Sequence, residues 1–131
     1  MLDSSVLLQA WRGNSPRSAA AKEILSDPSR DFVTCENVQL ELLPKPAFEK
    51  RHSEVEFYMA HFSEASACER FSEALGKAAL ALATRHGLSA GDALNLASAI
   101  KLGANEFITS ESPGKPVFRT SGVKVISLHS L

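Results

Sequence analysis

The stretch from Leu88 to Glu111 constrains the fold most, because it predicts a helix and both of its ends from local pattern alone. Ser89 followed by Asp92 is a typical helix start, in which a small polar residue precedes an acid by three positions. Nearly every residue from 93 to 102 is apolar or small, as in a helix that is packed on most of its circumference. Gly103 then offers the left-handed residue that commonly ends a helix.

A short strand follows this helix, and an acidic residue follows the strand. Residues 106–109 (EFIT) have the aromatic and β-branched content of a strand, and Glu111 comes two positions later. In open α/β sheets, functional groups gather at the carboxyl ends of the strands. Because Asp92 stands at a helix start and Glu111 just beyond a strand, we expect a functional site in this region.

The rest of the chain alternates predicted helices with short strands. Further helices are predicted at residues 4–11, 15–27, 35–43, 48–62 and 68–86. Further strands are predicted at residues 1–2, 31–34, 117–120 and 123–128. This alternation predicts an α/β fold with a short, mainly parallel sheet flanked by many helices, and with more helix than strand.

Length and composition limit the classes of protein that this chain can represent. With 131 residues there is enough chain for one core, so we expect a single domain over residues 1–131. The formal net charge of −1 provides no general attraction to nucleic acid, although a local basic patch would suffice. No apolar run approaches the ~20 residues of a membrane helix. The N-terminus lacks the pattern of a secretion signal, which favours a cytoplasmic protein.

Four carboxylates are candidate site residues, and each also has an ordinary structural explanation. Asp3 ends the first predicted strand, but aspartate is also one of the best N-caps. Asp92 fits a capping box equally well. Glu41 lies in a predicted helix, where a lone glutamate is usually solvated, and Glu111 lies in a Ser-Glu-Ser loop that is typical of a surface. Taken one at a time, these residues leave both interpretations open.

The four carboxylates together favour a metal site. Asp3, Glu41 and Glu111 lie near the ends of predicted strands, and Asp92 opens a helix packed beside them. Carboxylates that meet in one cleft raise one another's pKa unless a cation offsets their charge. Oxygen ligands select hard ions such as Mg²⁺ or Mn²⁺, and no Cys/His cluster supports zinc. Two such ions, about 3.5–4 Å apart, activate water and stabilise the leaving oxygen in phosphodiester hydrolysis.

Three segments of the chain resemble the PIN domain, and in particular the VapC-type toxin nucleases: MLDSSVLLQAW, VTCENVQLELL and LSAGDALNLASAIKLGANEFITSE. The family's opening strand, aspartate and small polar pair are matched by Asp3, Ser4 and Ser5. Its helical glutamate is matched by Glu41, and its D-A-L-x-x-A-x-A element by the segment that begins at Asp92.

The resemblance continues to the end of the chain, with three departures, one of which is that the residues beyond Glu111 lack a further acid that many relatives carry. A T-x-D sequence follows the family's next strand, and here Thr109, Ser110 and Glu111 match it, with Glu in place of Asp. GVKVISL resembles the family's last strand. Only two residues precede Asp3, so the first strand is shorter than is usual in the family.

The resemblance implies both an architecture and an activity. The fold would be a PIN-like three-layer sandwich with a short, mainly parallel sheet. The activity would be that of a Mg²⁺- or Mn²⁺-dependent endoribonuclease, with Asp3, Glu41, Asp92 and Glu111 as catalytic residues and metal ligands. The implied partners are RNA as substrate, a cognate antitoxin of a type II toxin–antitoxin pair, and a second copy of the chain. The helices near the N-terminus would form that homodimer.

Four more residues are candidates for positioning the substrate. Ser5 and Ser110 are placed to orient a water, a metal ligand or a phosphate, although capping of a helix and a strand explains them too. Lys45 and Arg51 belong to the densest basic cluster, which could neutralise an RNA backbone. Glutamates are mixed into the same segment, so a solvated helix face is the alternative.

Two other functional classes compete with the ribonuclease. The first is a PIN-like module with weak or no nuclease activity that acts by binding RNA or protein. The second is a phosphatase with an aspartyl nucleophile, which needs a second aspartate two residues after Asp3, where this chain has Ser5. The phosphatase is therefore disfavoured.

Overall fold

A computed structural model describes all residues, 1–131, and shows a mixed α/β fold. Seven α-helices are present: α1 (Ser4–Arg12), α2 (Pro16–Ser26), α3 (Glu36–Leu42), α4 (Pro44–Phe48), α5 (His52–Glu64), α6 (Glu73–His86) and α7 (Ala90–Lys101). Four strands have three or four residues each: β1 (Val33–Cys35), β2 (Ala67–Glu69), β3 (Glu106–Thr109) and β4 (Lys124–Ser127). Short 3-10 helices occupy Pro116–Arg119 and Leu128–Ser130. None of the helices combines the length and the apolar character needed to cross a membrane.

Every strand pair is parallel, as the sequence predicts. β1 pairs with β2, with Thr34 opposite Cys68, and β3 pairs with β4, with Ile108 opposite Ile126. The first predicted strand is reduced to a single parallel bridge between Leu2 and Ile108, on the edge of β3 that does not face β4. Backbone hydrogen bonds from Asp3 N–H to Ile108 O (2.9 Å) and from Ile108 N–H to Met1 O (3.0 Å) hold this bridge.

The hydrophobic core lies between α1, α7 and β3. Val6 and Leu7 of α1, Leu96 of α7, and Phe107 and Ile108 of β3 are all at most 2% exposed. Burial of side chains of this size stabilises a fold by roughly 1.5–3 kcal/mol each. Because these elements pack on one another, the end of the first strand, the start of α7 and the end of β3 are brought to the same side of the core.

The region around Pro44 differs from the prediction. The sequence predicts that a helix stops before Pro44 and that another runs from 48 to 62, but α4 begins at Pro44. Proline at the first position of a helix lacks only an N–H that would have no partner there, so it starts this helix instead of preventing one. Lys50 then adopts a left-handed conformation (φ 56°), which separates α4 from α5.

Two shorter segments also differ from the prediction. Residues 67–69, predicted as a break and a helix start, form β2, so α6 begins only at Glu73. The predicted strand at 117–120 is wrong, because this segment lies mostly within a 3-10 helix. In that helix Phe118 N–H donates to Lys115 O at 3.1 Å.

Candidate active site

Asp3 lies at the centre of a buried hydrogen-bond network at the end of the first strand. It occupies the N-cap position of α1, but its carboxylate makes no cap hydrogen bond. Its Oδ2 accepts hydrogen bonds from the hydroxyls of Ser5 (2.7 Å) and Thr109 (3.1 Å), and its Oδ1 accepts one from Asn95 Nδ2 (3.2 Å). The capping explanation therefore does not account for Asp3, because its side chain is oriented by residues of α1, α7 and β3.

Asn95 joins Asp3 to Glu41. Its Nδ2 donates to Asp3 Oδ1 and also to Glu41 Oε1 at 2.8 Å. Its side-chain oxygen accepts hydrogen bonds from Asn37 Nδ2 (2.9 Å) and from the Cys35 thiol (3.5 Å). Asn95 is completely buried, and all its polar atoms have partners. Because its oxygen is occupied by two donors, its N–H groups are the ones that face the two carboxylates.

Glu41 reaches from α3 to the first turn of α7. Its Oε2 lies so close to Gly91 that a methyl group there would stand 2.8 Å from it. Burial raises the pKa of Glu41, Asn95 acts in the opposite direction, and the charges of Asp3 and Asp92 raise the pKa further. The solvated-helix explanation fails for this residue, because its carboxylate faces other carboxylates across a helix end.

The backbone of Asp92 takes part in the cap of α7, while its carboxylate faces the other acids. Its backbone N–H donates to Ser89 Oγ at 3.3 Å, which caps α7. Burial raises the pKa of its carboxyl group, the charge of Asp3 adds to this, and Ser89 lowers it. The helix cap is therefore the Ser89 side chain, and no hydrogen bond from the Ser89 backbone N–H to the Asp92 carboxylate completes the predicted capping box.

Glu111 is held just beyond β3 by its backbone. Its N–H donates to Thr109 Oγ1 (3.2 Å), and its carbonyl accepts a hydrogen bond from Ser127 Oγ (2.6 Å). Burial raises the pKa of its carboxyl group, as do the charges of Asp92 and Asp3, while Lys115 lowers it. This residue belongs to the same electrostatic group as the other acids and not to a remote surface loop.

We call Asp3, Glu41, Asp92 and Glu111 the acid cluster. All their metal-binding atoms are carboxylate oxygens, a donor set that fits a hard divalent cation. Burial and then the neighbouring acids raise the pKa of Glu41, Asp92 and Glu111, and a cation would offset the charge of those neighbours. No three acidic, histidine or cysteine side chains in the chain converge closely enough to hold an ion among them. Closing around an ion would therefore require side-chain rotations, most easily of the exposed Glu41.

The family model of the PIN domain matches residues 1–112. This chain belongs to the PIN domain family. The resemblance predicted from the sequence is thus confirmed, and the matched range contains all four residues of the acid cluster.

Solved structures share the fold over almost their entire length. A toxin–antitoxin complex from Klebsiella pneumoniae contains a chain that is 20% identical, with a TM-score of 0.73, over 97% of this chain and 95% of that one. VapBC2 from Rickettsia felis, bound to a DNA fragment from its promoter, contains one that is 16% identical, with a TM-score of 0.72, over 97% and 96%. Comparison with curated proteins gives no significant match.

In this PIN domain, the two predicted serines act within the network around Asp3. The Ser5 hydroxyl donates to Asp3 and accepts a hydrogen bond from the backbone N–H of Ser110 at 3.1 Å. Ser110 therefore contributes its backbone to the site, and no hydrogen bond of its hydroxyl is present. Ser5 therefore orients the carboxylate of Asp3.

The two predicted basic residues line a small pocket that also contains Glu41. Lys45 forms no ion pair. Arg51 is paired with Glu49 (3.2 Å) and with Glu54 (2.9 Å). Lys45 is therefore free to meet a ligand, whereas most of the charge of Arg51 is already balanced.

Sequence reasoning missed two residues of this site, Asn95 and Asn37, and named Thr109 only as part of the T-x-D match. Asn95 interrupts an otherwise apolar helix and stands one turn after Asp92, on the same face, which is a signal that could have identified it. Asn37 has no comparable signal, because its partners are distant in the sequence.

Proposed function

We propose that this PIN domain is a Mg²⁺- or Mn²⁺-dependent endoribonuclease, and that it is the toxin of a type II toxin–antitoxin pair. The observation that carries the proposal is the acid cluster, in which neighbouring charges and burial raise the pKa of three of the four carboxyl groups. Membership of the PIN family supports it independently.

Asp3, Glu41, Asp92 and Glu111 are the residues that would hold the cation. When bound, a divalent cation activates water and stabilises the leaving oxygen of a phosphodiester. The protein's own contribution is orientation, since Ser5, Thr109 and Asn95 fix the Asp3 carboxylate before any ligand arrives.

The two oxygens of Glu41 have different surroundings. Its Oε1 accepts the hydrogen bond of Asn95, so Oε2 is the oxygen that remains available to a cation.

The solved structures support the proposed partner. Both similar chains come from structures described as toxin–antitoxin or VapBC complexes. We therefore expect a cognate antitoxin, and a homodimer in the cytoplasm formed through the N-terminal helices, where Trp11 remains 37% exposed. Light scattering on the purified protein would measure the dimer directly.

Cleavage of RNA by the purified protein tests the activity. Wild-type protein should cleave single-stranded RNA with added Mg²⁺ or Mn²⁺ and stop when EDTA removes the cation. Asp92→Asn should lose cleavage, whereas Glu64→Gln, which changes an exposed acid at the end of α5, should retain it. Equal cleavage by wild type and Asp92→Asn would refute the proposal.

The alternative function is RNA or protein binding with weak or no hydrolysis. Two observations favour it: Glu111 replaces the family's aspartate, and no three acids converge as they stand. Under this alternative Glu111→Asp would increase a weak activity, because the shorter side chain restores the family's ligand. If wild type is fully active and Glu111→Asp is no faster, the alternative is excluded.

A further inference from the structure

A pocket of about 130 Å³ lies beside Glu41, between the end of α1, the junction of α3 with α4, and the start of α5. We propose that this pocket binds one phosphate group of the RNA backbone, next to the phosphate that is cleaved, and that Arg12 and Lys45 hold it. This inference rests on the proposed function, because it assigns a second contact to the same substrate.

The size of the pocket suits a single small group. An engineered cavity of about 150 Å³ in another protein holds one benzene molecule, so about 130 Å³ has room for one phosphate group. Because the pocket is open to solvent, the rest of the nucleotide can lie outside it. Leu8, Leu42 and Pro46 form its apolar walls.

The charges of the pocket favour an anion. Three cations line it, Arg12, Lys45 and Arg51, together with two carboxylates, Glu41 and Glu54. Glu54 is 3% exposed, and its charge is balanced by Arg51 at 2.9 Å. The side chains of the pocket that remain without an ion-pair partner are two cations, Arg12 and Lys45, and one carboxylate, Glu41, which also faces the acid cluster.

Arg12 and Lys45 are the available cations of this pair. Neither forms an ion pair, and both are exposed to solvent. Arginine presents a planar fork that can bind two phosphate oxygens, and lysine adds a point charge. Arg12 is the new assignment, since it lies more than thirty positions before the basic segment that the sequence singles out.

Arg51 has a different task in this pocket. Its guanidinium is already held by Glu54, and the Tyr58 hydroxyl donates to the other oxygen of the same carboxylate at 2.7 Å. Tyr58 is fully buried, so this trio forms a fixed floor. Arg51 therefore shapes the pocket, while Arg12 and Lys45 provide its affinity.

The position of Glu41 indicates RNA as the occupant instead of a carboxylate from a protein partner. Glu41 belongs both to the acid cluster and to the pocket wall, so the two sites are adjacent. A polynucleotide whose scissile phosphate lies at the acid cluster must continue in some direction along the surface. In the pocket, the neighbouring phosphate of that RNA would meet two unpaired cations, Arg12 and Lys45. The only carboxylate there without an ion-pair partner is Glu41.

Binding of RNA without cleavage tests this inference. Asp92→Asn protein in EDTA would be titrated with a labelled single-stranded RNA of about ten nucleotides, at several salt concentrations. Arg12→Gln and Lys45→Gln, each added to this background, should weaken binding roughly three- to tenfold and reduce the salt slope by about 0.7 each. Arg12→Lys should keep the slope, because it keeps the charge.

Lys77→Gln is the matched control, because Lys77 is an exposed lysine of α6 that is paired with Glu73 at 3.0 Å. It should leave affinity and slope unchanged, and circular dichroism should show all variants folded. If Arg12→Gln and Lys45→Gln both show the same salt dependence of RNA binding as Asp92→Asn alone, the inference is overturned. A carboxylate from a protein partner would then be the remaining occupant. Absence of measurable RNA binding in the Asp92→Asn background would overturn it as well.

The cleavage assay distinguishes this inference from the proposed function. If wild type cleaves no RNA but the slopes still depend on Arg12 and Lys45, the hydrolase proposal fails and the phosphate pocket stands. If wild type cleaves RNA and the slopes do not change, the pocket inference fails and the hydrolase proposal stands.

Discussion

Gly91→Ala separates the geometry of the acid cluster from the stability of the fold. A Cβ at Gly91 would lie 2.8 Å from Glu41 Oε2, well inside the 3.5–4.0 Å of an ordinary contact, so the Glu41 carboxylate must move by about 1 Å. The close atom is Oε2, which can swing away from the new methyl group while Oε1 keeps the hydrogen bond from Asn95, so folding loses little. Alanine is more favourable than glycine in a helix by roughly 0.5–1 kcal/mol, so α7 itself should gain stability.

We therefore expect Gly91→Ala to raise the melting temperature by up to a few degrees while kcat/KM for RNA cleavage falls roughly ten- to hundredfold. Gly76→Ala is the matched control, because Gly76 also lies in the first turns of a helix and a Cβ there meets nothing within 4 Å. It should give the same kind of stabilisation with unchanged activity. Wild-type cleavage by Gly91→Ala would refute the reasoning, since the position of Glu41 over α7 would then be irrelevant to catalysis.

Three further predictions concern stability. Glu111→Gln should raise the melting temperature at pH 7, because the raised pKa of Glu111 makes its ionised form unfavourable in the folded state. The folded protein binds more protons than the unfolded chain above the unfolded pKa of about 4.3, so calorimetry should find no gain below pH 4. Asn95→Asp should destabilise the protein by about 2–4 kcal/mol in urea unfolding, because it places a buried carboxylate against those of Asp3 and Glu41. The surface change Asn105→Asp should be neutral, and equal effects of the two variants would contradict the role of the network. Tyr58→Phe should cost about 1–3 kcal/mol, because it removes the hydroxyl that donates to the buried carboxylate of Glu54. A wild-type urea midpoint for this variant would show that the pair is not stabilising.

The elements that the sequence predicts well are those whose local pattern and tertiary environment agree. α7 has its capping serine, its apolar face and its ending within one continuous stretch, and β3 has β-branched and aromatic residues in a buried strand. Pro16 starts α2 at the first helical position, as its sequence indicates.

The elements that were missed depend on distant partners. β2 consists of Ala, Cys and Glu, which have no strong strand preference, and it is a strand because it pairs with β1 more than thirty residues earlier. The helix at Pro44 was missed because proline carries two opposite signals, as a helix stop and as a first helical residue, and only the surrounding structure decides between them.

The candidate site also has a part that the sequence predicts and a part that depends on distant contacts. Sequence pattern and resemblance identify the four acids, and the structure reveals what connects them. Asn95 hydrogen bonds to Asp3, 92 positions away, and to Glu41, 54 positions away. Arg12 meets Lys45 only because α1 and α4 line the same pocket. Contacts of this kind leave no local trace in the sequence.

Titration calorimetry of Mn²⁺ binding to the purified protein tests the central claim most directly. Wild type should show saturable binding that strengthens as the pH rises from 5 to 7, because protons compete with the cation for carboxyl groups whose pKa values are raised. Asp3→Asn, which preserves the size of the buried side chain, should lose most of that binding. No saturable binding by wild type, or equal binding by Asp3→Asn, would contradict the account of the acid cluster as a cation site.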